Sequence, residues 1–158
     1  MALTILVWLL VIFYGFYIGG HAFNFFVSLP NWDSGNLEDV HHYQQFYRRA
    51  KPKRYFRLFM FLTPALAIAV AAMVWDQSQA LNVFSTLATG AGIISLIFTE
   101  LYFIPIIRFI ENPEEHNEEQ IKRYSRMWAM GDIIRIIIIA VGFLCSIRLI
   151  ELIQPLVK

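Results

Sequence analysis

The sequence predicts an all-α integral membrane protein: a single-domain four-helix bundle running up-down-up-down, with a short interfacial helix in its first loop. Three observations carry this. The 158 residues are 58% hydrophobic and 16% aromatic, above the range of soluble domains. Four apolar segments each reach the roughly 20 residues that cross a bilayer at 1.5 Å rise per residue. The loops between them alternate between rich in Lys and Arg and free of both.

The first segment spans residues 2–29. It has no basic n-region and no A-x-A cleavage site, and it outruns the short h-region of a signal peptide, so it reads as a transmembrane helix. The second spans 56–75, the third 81–107 and the fourth 128–153. The tight connection Asp76-Gln77-Ser78-Gln79 makes the second and third an antiparallel hairpin. Arg57, Arg148 and Glu151 lie close enough to segment ends to snorkel toward water.

Loop one carries Arg48, Arg49, Lys51, Lys53 and Arg54, and loop three carries Arg108, Lys122, Arg123 and Arg126. The opposite side has almost no Lys or Arg. Both basic loops are therefore expected in the cytoplasm and both termini outside, with the inner (plasma) membrane of a bacterium as the expected location. Within loop one, Glu38 to Ala50 places Val40, Tyr43, Phe46 and Tyr47 on one side at helical spacing, which predicts an interfacial helix. It reads either as a lid or headgroup sensor, or as a re-entry segment anchored by its aromatics. In loop three, Asn112 followed by Pro113, Glu114, Glu115 and His116 has the character of a helix start, with Asn112 as cap and His116 facing solvent.

Composition also excludes classes. The net charge is +1, so no basic field argues for nucleic acid. A single cysteine, Cys145, excludes an intramolecular disulfide, a Cys-x-x-Cys pair and a thiolate cage.

Four ionisable residues sit at hydrocarbon depth, where such groups are costly and mark functional sites: His21, Glu100, Asp132 and Arg135. Counting inward from Pro30, Arg108 and Arg126 places His21, Glu100 and Arg135 at about 12–13 Å, with Asp132 one turn nearer the basic loops. On the first helix Tyr14, Tyr17, His21, Asn24 and Ser28 recur at spacings of three and four and form a polar seam. Gly15 and Gly19 form a small-x-x-x-small pair that predicts a close helix approach. Trp128, Asp132 and Arg135 share a face of the last helix, and Pro105 is expected to loosen the third.

Arg135 keeps its proton and must be matched by Glu100, Asp132 or an anion. His21 has the intrinsic pKa suited to general-base work near neutrality. The candidate catalytic set is therefore His21, Arg135, Glu100 and Asp132, with Trp128, Tyr17, Asn24 and Phe103 walling a cavity for a lipophilic aromatic or quinone-like molecule. Each also has a structural reading: Asp132 and Arg135 as an intrahelical ion pair, and His21 as a core residue bonded to Tyr17 and a carbonyl. One histidine and two carboxylates without local ligand spacing make a poor metal set, and His41, His42 and His116 lie in loops, away from any intramembrane haem, so no metal or cofactor is expected.

The stretch Arg126-Met-Trp128-Ala-Met-Gly-Asp132-Ile-Ile-Arg135 resembles the Trp-x3-Asn-x2-Arg signature of the last helix in the anthrone oxygenase-like membrane proteins. Gly15, Gly19, the run from His21 to Val27, Pro30 and Tyr43-Gln44-Gln45-Phe46 are similar to the way those proteins leave their first helix. The resemblance implies functional roles for Trp128 and Arg135 and an oxygenase that works without metal or flavin. This chain has Asp132 where the family tends to carry Asn, and Glu100 ahead of Pro105 where the family commonly places an Asn beside a Pro.

Two function classes follow. One is an oxygenase-like membrane enzyme in which His21 abstracts a proton and Arg135 holds the oxyanion. The other is a non-catalytic accessory or structural subunit of a larger membrane complex, binding lipid or quinone. Membrane lipids, a lipophilic small molecule, and either membrane-protein partners or a second copy of the chain are the expected partners. A proton-coupled transporter using Glu100 and His21 is disfavoured by the short chain and the absence of an inverted repeat.

Overall fold

A computed structural model describes residues 1–34, 36–111 and 117–154 of the chain. The proposed helix start at Asn112 to His116 lies outside the described residues.

The chain is an all-α, four-helix membrane bundle. Helix α1 (Ala2–Phe23) runs on through a wider π-helical turn (Asn24–Ser28) and a short 3₁₀ turn (Leu29–Asn31). Helix α2 (Leu37–Ala50) is the predicted loop-one helix, and α3 (Lys53–Val74) follows after a tight turn. Helix α4 (Gln79–Phe98) leads through a second π-helical turn (Thr99–Phe103) into α5 (Ile104–Glu111), and α6 (Glu118–Ile153) completes the chain. Four spans, residues 2–31, 53–74, 79–109 and 118–153, are long and apolar enough to cross a membrane.

Around the bundle α1 packs on α3, α3 on α4, α4 on α6, and α6 back on α1. Large apolar side chains such as Phe16, Phe61, Ile94, Ile137 and Leu144 point outward and are exposed, as lipid contact requires. The inward face of α1 is the polar seam: Tyr14, Tyr17, His21, Asn24 and Ser28 are all buried.

Local chemistry fixes the ends. Asn36 caps α2 by accepting the Glu38 N–H, and Ser78 accepts the Leu81 N–H at the start of α4. Asn117 and Gln120 form a reciprocal capping box at the start of α6. That helix therefore begins ten residues before the apolar stretch at Trp128. Counting apolar residues locates the hydrocarbon span, whereas the cap decides where the helix starts.

The two π-helical turns share one cause. In each, the residue before a proline bonds five residues back: the Leu29 N–H to the Asn24 carbonyl ahead of Pro30, and the Ile104 N–H to the Thr99 carbonyl ahead of Pro105. A proline ring crowds the carbonyl four residues earlier and supplies no N–H, and the widened turn relieves that clash. The predicted loosening at Pro105 takes this form.

The close approaches fall elsewhere than expected. A Cβ at Gly15 would meet only Phe143 at an ordinary 3.7 Å, and one at Gly19 would meet nothing within 4 Å. Gly142 instead lies against the Tyr14 ring, Gly92 against Tyr14 and Pro64, and Gly131 against Tyr102 and Phe103. The Tyr14 hydroxyl crosses the bundle between them to the Ala88 carbonyl at 2.5 Å. A small-residue pair permits a close contact only if it faces the neighbour, and Gly19 does not.

Helix α2 closes the loop-one end. Val40, Tyr43 and Gln44 are buried, and Tyr43 stacks on Trp32, whose ring meets Trp128 edge-on at 5.8 Å. Phe46, grouped with Val40, Tyr43 and Tyr47 on one side of the predicted interfacial helix, is 52% exposed.

Candidate functional site

The site is organised around Asp132, which is fully buried on α6. Its Oδ2 accepts from the Asn24 side-chain amide of the first π-helical turn and from the Trp128 indole N–H at 3.1 Å. Its Oδ1 accepts from Arg135 Nη2, and His21 Nδ1 lies 3.4 Å away. Trp128, Asp132 and Arg135 reach one another because spacings of four and three return to the same helix face. Asn24 arrives from the facing helix.

Three donors around one carboxylate fill most of its acceptor capacity, and the Arg135 charge balances its own. A buried carboxylate at this depth is tolerated only when so matched. His21 has neither nitrogen in a hydrogen bond; its ring is held between Tyr17 and Phe56, at 4.9 and 4.8 Å between centroids. Tyr17 is not its partner, since the Tyr17 hydroxyl bonds Ser95 Oγ at 3.2 Å.

Arg135 faces two ways. Its guanidinium carbon sits 3.6 Å from the centre of the Phe103 ring, a cation–π stack, and Nη1 donates to Thr99 Oγ1 at 3.3 Å. Its Nε is buried and has no acceptor. Both Thr99 and Phe103 belong to the second π-helical turn, and Gly131 lets that turn approach α6. The two proline-linked turns thus supply Asn24 on one side of the Asp132–Arg135 pair and Thr99 and Phe103 on the other.

Beside this network lies a cavity of about 150 Å³ between α3 and the α4–α5 segment. Phe56, Met60, Phe103 and Trp128 form apolar walls, while Arg135, Asn24 and Thr99 supply polar groups. Arg57 and Glu100 also line it; both are exposed and neither has an ion-pair partner among the described residues. Tyr47 and Lys53 line its loop-one end. Burial pushes the Tyr47 phenol up to about 12, with Glu111 adding to the shift and Arg135 opposing it, so it stays a neutral donor.

The structure brings His21, Asp132, Arg135, Trp128, Asn24 and Phe103 together. Two candidates sit apart: Glu100 is at the cavity wall away from the ion pair, and Tyr17 packs behind His21. His21 does not line the cavity. Sequence reasoning missed Thr99, Phe56, Tyr47 and Trp32. Tyr47 had left a signal as part of the aromatic face of the loop-one helix, and Trp32 as an aromatic two residues after Pro30. No group of three or more His, Cys, Asp or Glu suited to a metal occurs among the described residues.

No protein-family model matches this chain, and comparison with curated proteins and with solved structures gives no match to either.

Proposed function

We propose that this protein is a membrane-embedded, oxygenase-like enzyme that acts on a lipophilic phenol reaching the cavity from the bilayer, with loops one and three on the cytoplasmic side. The reading rests above all on Arg135. A buried guanidinium that keeps N–H groups beyond those given to Asp132 and Thr99, on a residue lining an aromatic-walled cavity, is a ready donor for a phenolate oxygen. The cavity volume suits about one aromatic ring, by comparison with a benzene-binding cavity of similar size.

Of the carboxylates, Asp132 is already held by three donors and its Arg135 counter-charge, whereas Glu100 lines the cavity and has no ion-pair partner among the described residues. Glu100 therefore takes the phenolic proton in this scheme, and the role first assigned to His21 passes to it. The His21 ring instead buttresses Asp132. The electron pair left on the ring attacks dioxygen, the resulting hydroperoxide loses water, and one phenol and one dioxygen yield one quinone and one water. No metal or flavin is required by that balance.

The test is oxygen uptake and quinone absorbance with the purified full-length chain in nanodiscs and a lipophilic phenol. Glu100→Gln and Arg135→Lys, the latter keeping the charge beside Asp132, are expected to remove turnover and leave the fold intact. Unchanged turnover in both variants overturns the scheme. The self-contained Asp132 network favours one second reading, a non-catalytic subunit that binds a phenol or quinone, and saturable binding without oxygen uptake would select it.

A further inference from the structure

The cavity does not end at Arg135. At its loop-one end it adjoins a second, larger hollow of about 350 Å³, and Tyr47 and Lys53 line both. The second hollow is bordered by Arg48, Lys51 and Arg54, none of which has an ion-pair partner among the described residues. Its one carboxylate, Glu111, is taken by Lys53. The hollow also sits at the first turn of α3, which has no side-chain cap, so the positive end of the helix dipole adds to the cations.

Basic residues are ordinary at one end of a membrane bundle. These differ in surrounding a hollow that shares Tyr47 and Lys53 with the cavity that Arg135 lines. Lys53, Phe56 and Met60 line that cavity along one face of α3, and the seven-residue step from Lys53 to Met60 spans about 10 Å. One cation site opens to water; the other lies inside. A molecule filling both would be an amphiphile, with a ring inside and an oxyanion about 10 Å away.

We propose that the hollow at Arg48, Lys51 and Arg54 binds a phosphate-type head, so that the substrate is a phenol joined by a short apolar link to a phosphate monoester. This inference rests on the phenol-binding reading and adds the second half of the ligand. Arg and Lys clusters beside a helix N-terminus bind tetrahedral oxyanions through charge-assisted bonds, whereas a neutral headgroup would leave these cations without a counter-charge.

Calorimetric titration of the full-length chain in phosphatidylcholine nanodiscs separates the parts. Hydroxyphenylpropyl phosphate should bind about ten-fold more tightly than the matched alcohol, hydroxyphenylpropanol, the gain of a charge-assisted contact. The triple variant Arg48→Gln, Lys51→Asn, Arg54→Gln should close that gap and leave the alcohol's affinity unchanged; Arg49, Lys53 and Arg57 keep the end basic. Competition by phosphatidic acid in the disc identifies a lipid-borne head, and competition by inorganic phosphate a free one; either supports the site. Equal affinity for ester and alcohol, or a gap that survives the triple variant, overturns it. Binding of the alcohol with no gap removes only the head site, whereas failure of both ligands to bind removes the phenol reading with it.

Discussion

Asn24, in the π-helical turn that continues α1, donates its side-chain amide to Asp132 on α6, and this bond joins the two helices at the depth where Arg135 carries the balancing charge. It depends on the π-helical turn that begins at Asn24. An uncharged donor is the fitting partner here, because Asp132 already has its counter-charge in Arg135. Asn24→Ala should lower stability by about 1.5–3 kcal/mol, the worth of a hydrogen bond to a charged group. Asn24→Asp should cost more, since it sets two carboxylates against each other. Thermal unfolding in detergent micelles measures both, and an Asn24→Asp protein as stable as the parent would contradict this account.

Asp132 and Arg135 should behave as a unit. Removing either leaves the other charged and unmatched in a buried site, at a cost of about 3–5 kcal/mol. The double variant Asp132→Leu, Arg135→Leu should be less destabilised than the two singles together, and the coupling is read from a double-mutant cycle. Additive losses would show that the pair is not the balance of this site.

Glycine replacement should separate the predicted helix contact from the real ones. Gly142→Ala forces a Cβ into the Tyr14 ring and should cost about 1–3 kcal/mol, as overpacking does. Gly19→Ala meets open space and should be neutral or stabilise by up to about 1 kcal/mol through helix propensity. Melting temperatures of the two variants in the same micelle decide it, and the reverse order would restore Gly19 as the close contact.

Pro105→Ala should let the Thr99–Phe103 turn relax toward an ordinary α-helix. A π-helical turn holds one extra residue, so its loss rotates one flank relative to the other by about 100°. Glu100→Cys labelled with a maleimide should therefore change its rate several-fold between the parent and Pro105→Ala backgrounds, and Cys145, being buried, contributes little background. Equal rates would mean that the turn persists without the proline.

Much of the architecture was legible in the chain. Four bilayer-length apolar stretches and a four-residue turn dictate four antiparallel helices, because hydrocarbon admits only backbone that satisfies its own hydrogen bonds. The polar seam on α1 was equally clear, since a spacing of three and four residues fixes a helix face whatever surrounds it. Helix α2 was visible too, although the face that the pattern gave to Val40, Tyr43 and Phe46 together divides in the structure, with Val40 and Tyr43 buried and Phe46 exposed.

The site was legible only in part. Sequence supplied His21, Asp132 and Arg135 as residues that lipid would reject, and depth counting placed His21 and Arg135 at one level with Asp132 a turn nearer the basic loops. It also grouped Glu100 with them. Depth fixes height along a helix but not the direction around it, and the π-helical turn at Thr99–Phe103 shifts that direction, leaving Glu100 on the cavity wall and turning Phe103 and Thr99 toward Arg135. The sequence alone therefore determined which residues had to be sheltered from lipid, because transfer cost belongs to each side chain. Only the tertiary structure decided which of them meet, because contact depends on how α1, α4 and α6 are rotated about their axes. Two prolines and the glycines facing Tyr14 and Tyr102 help set that rotation.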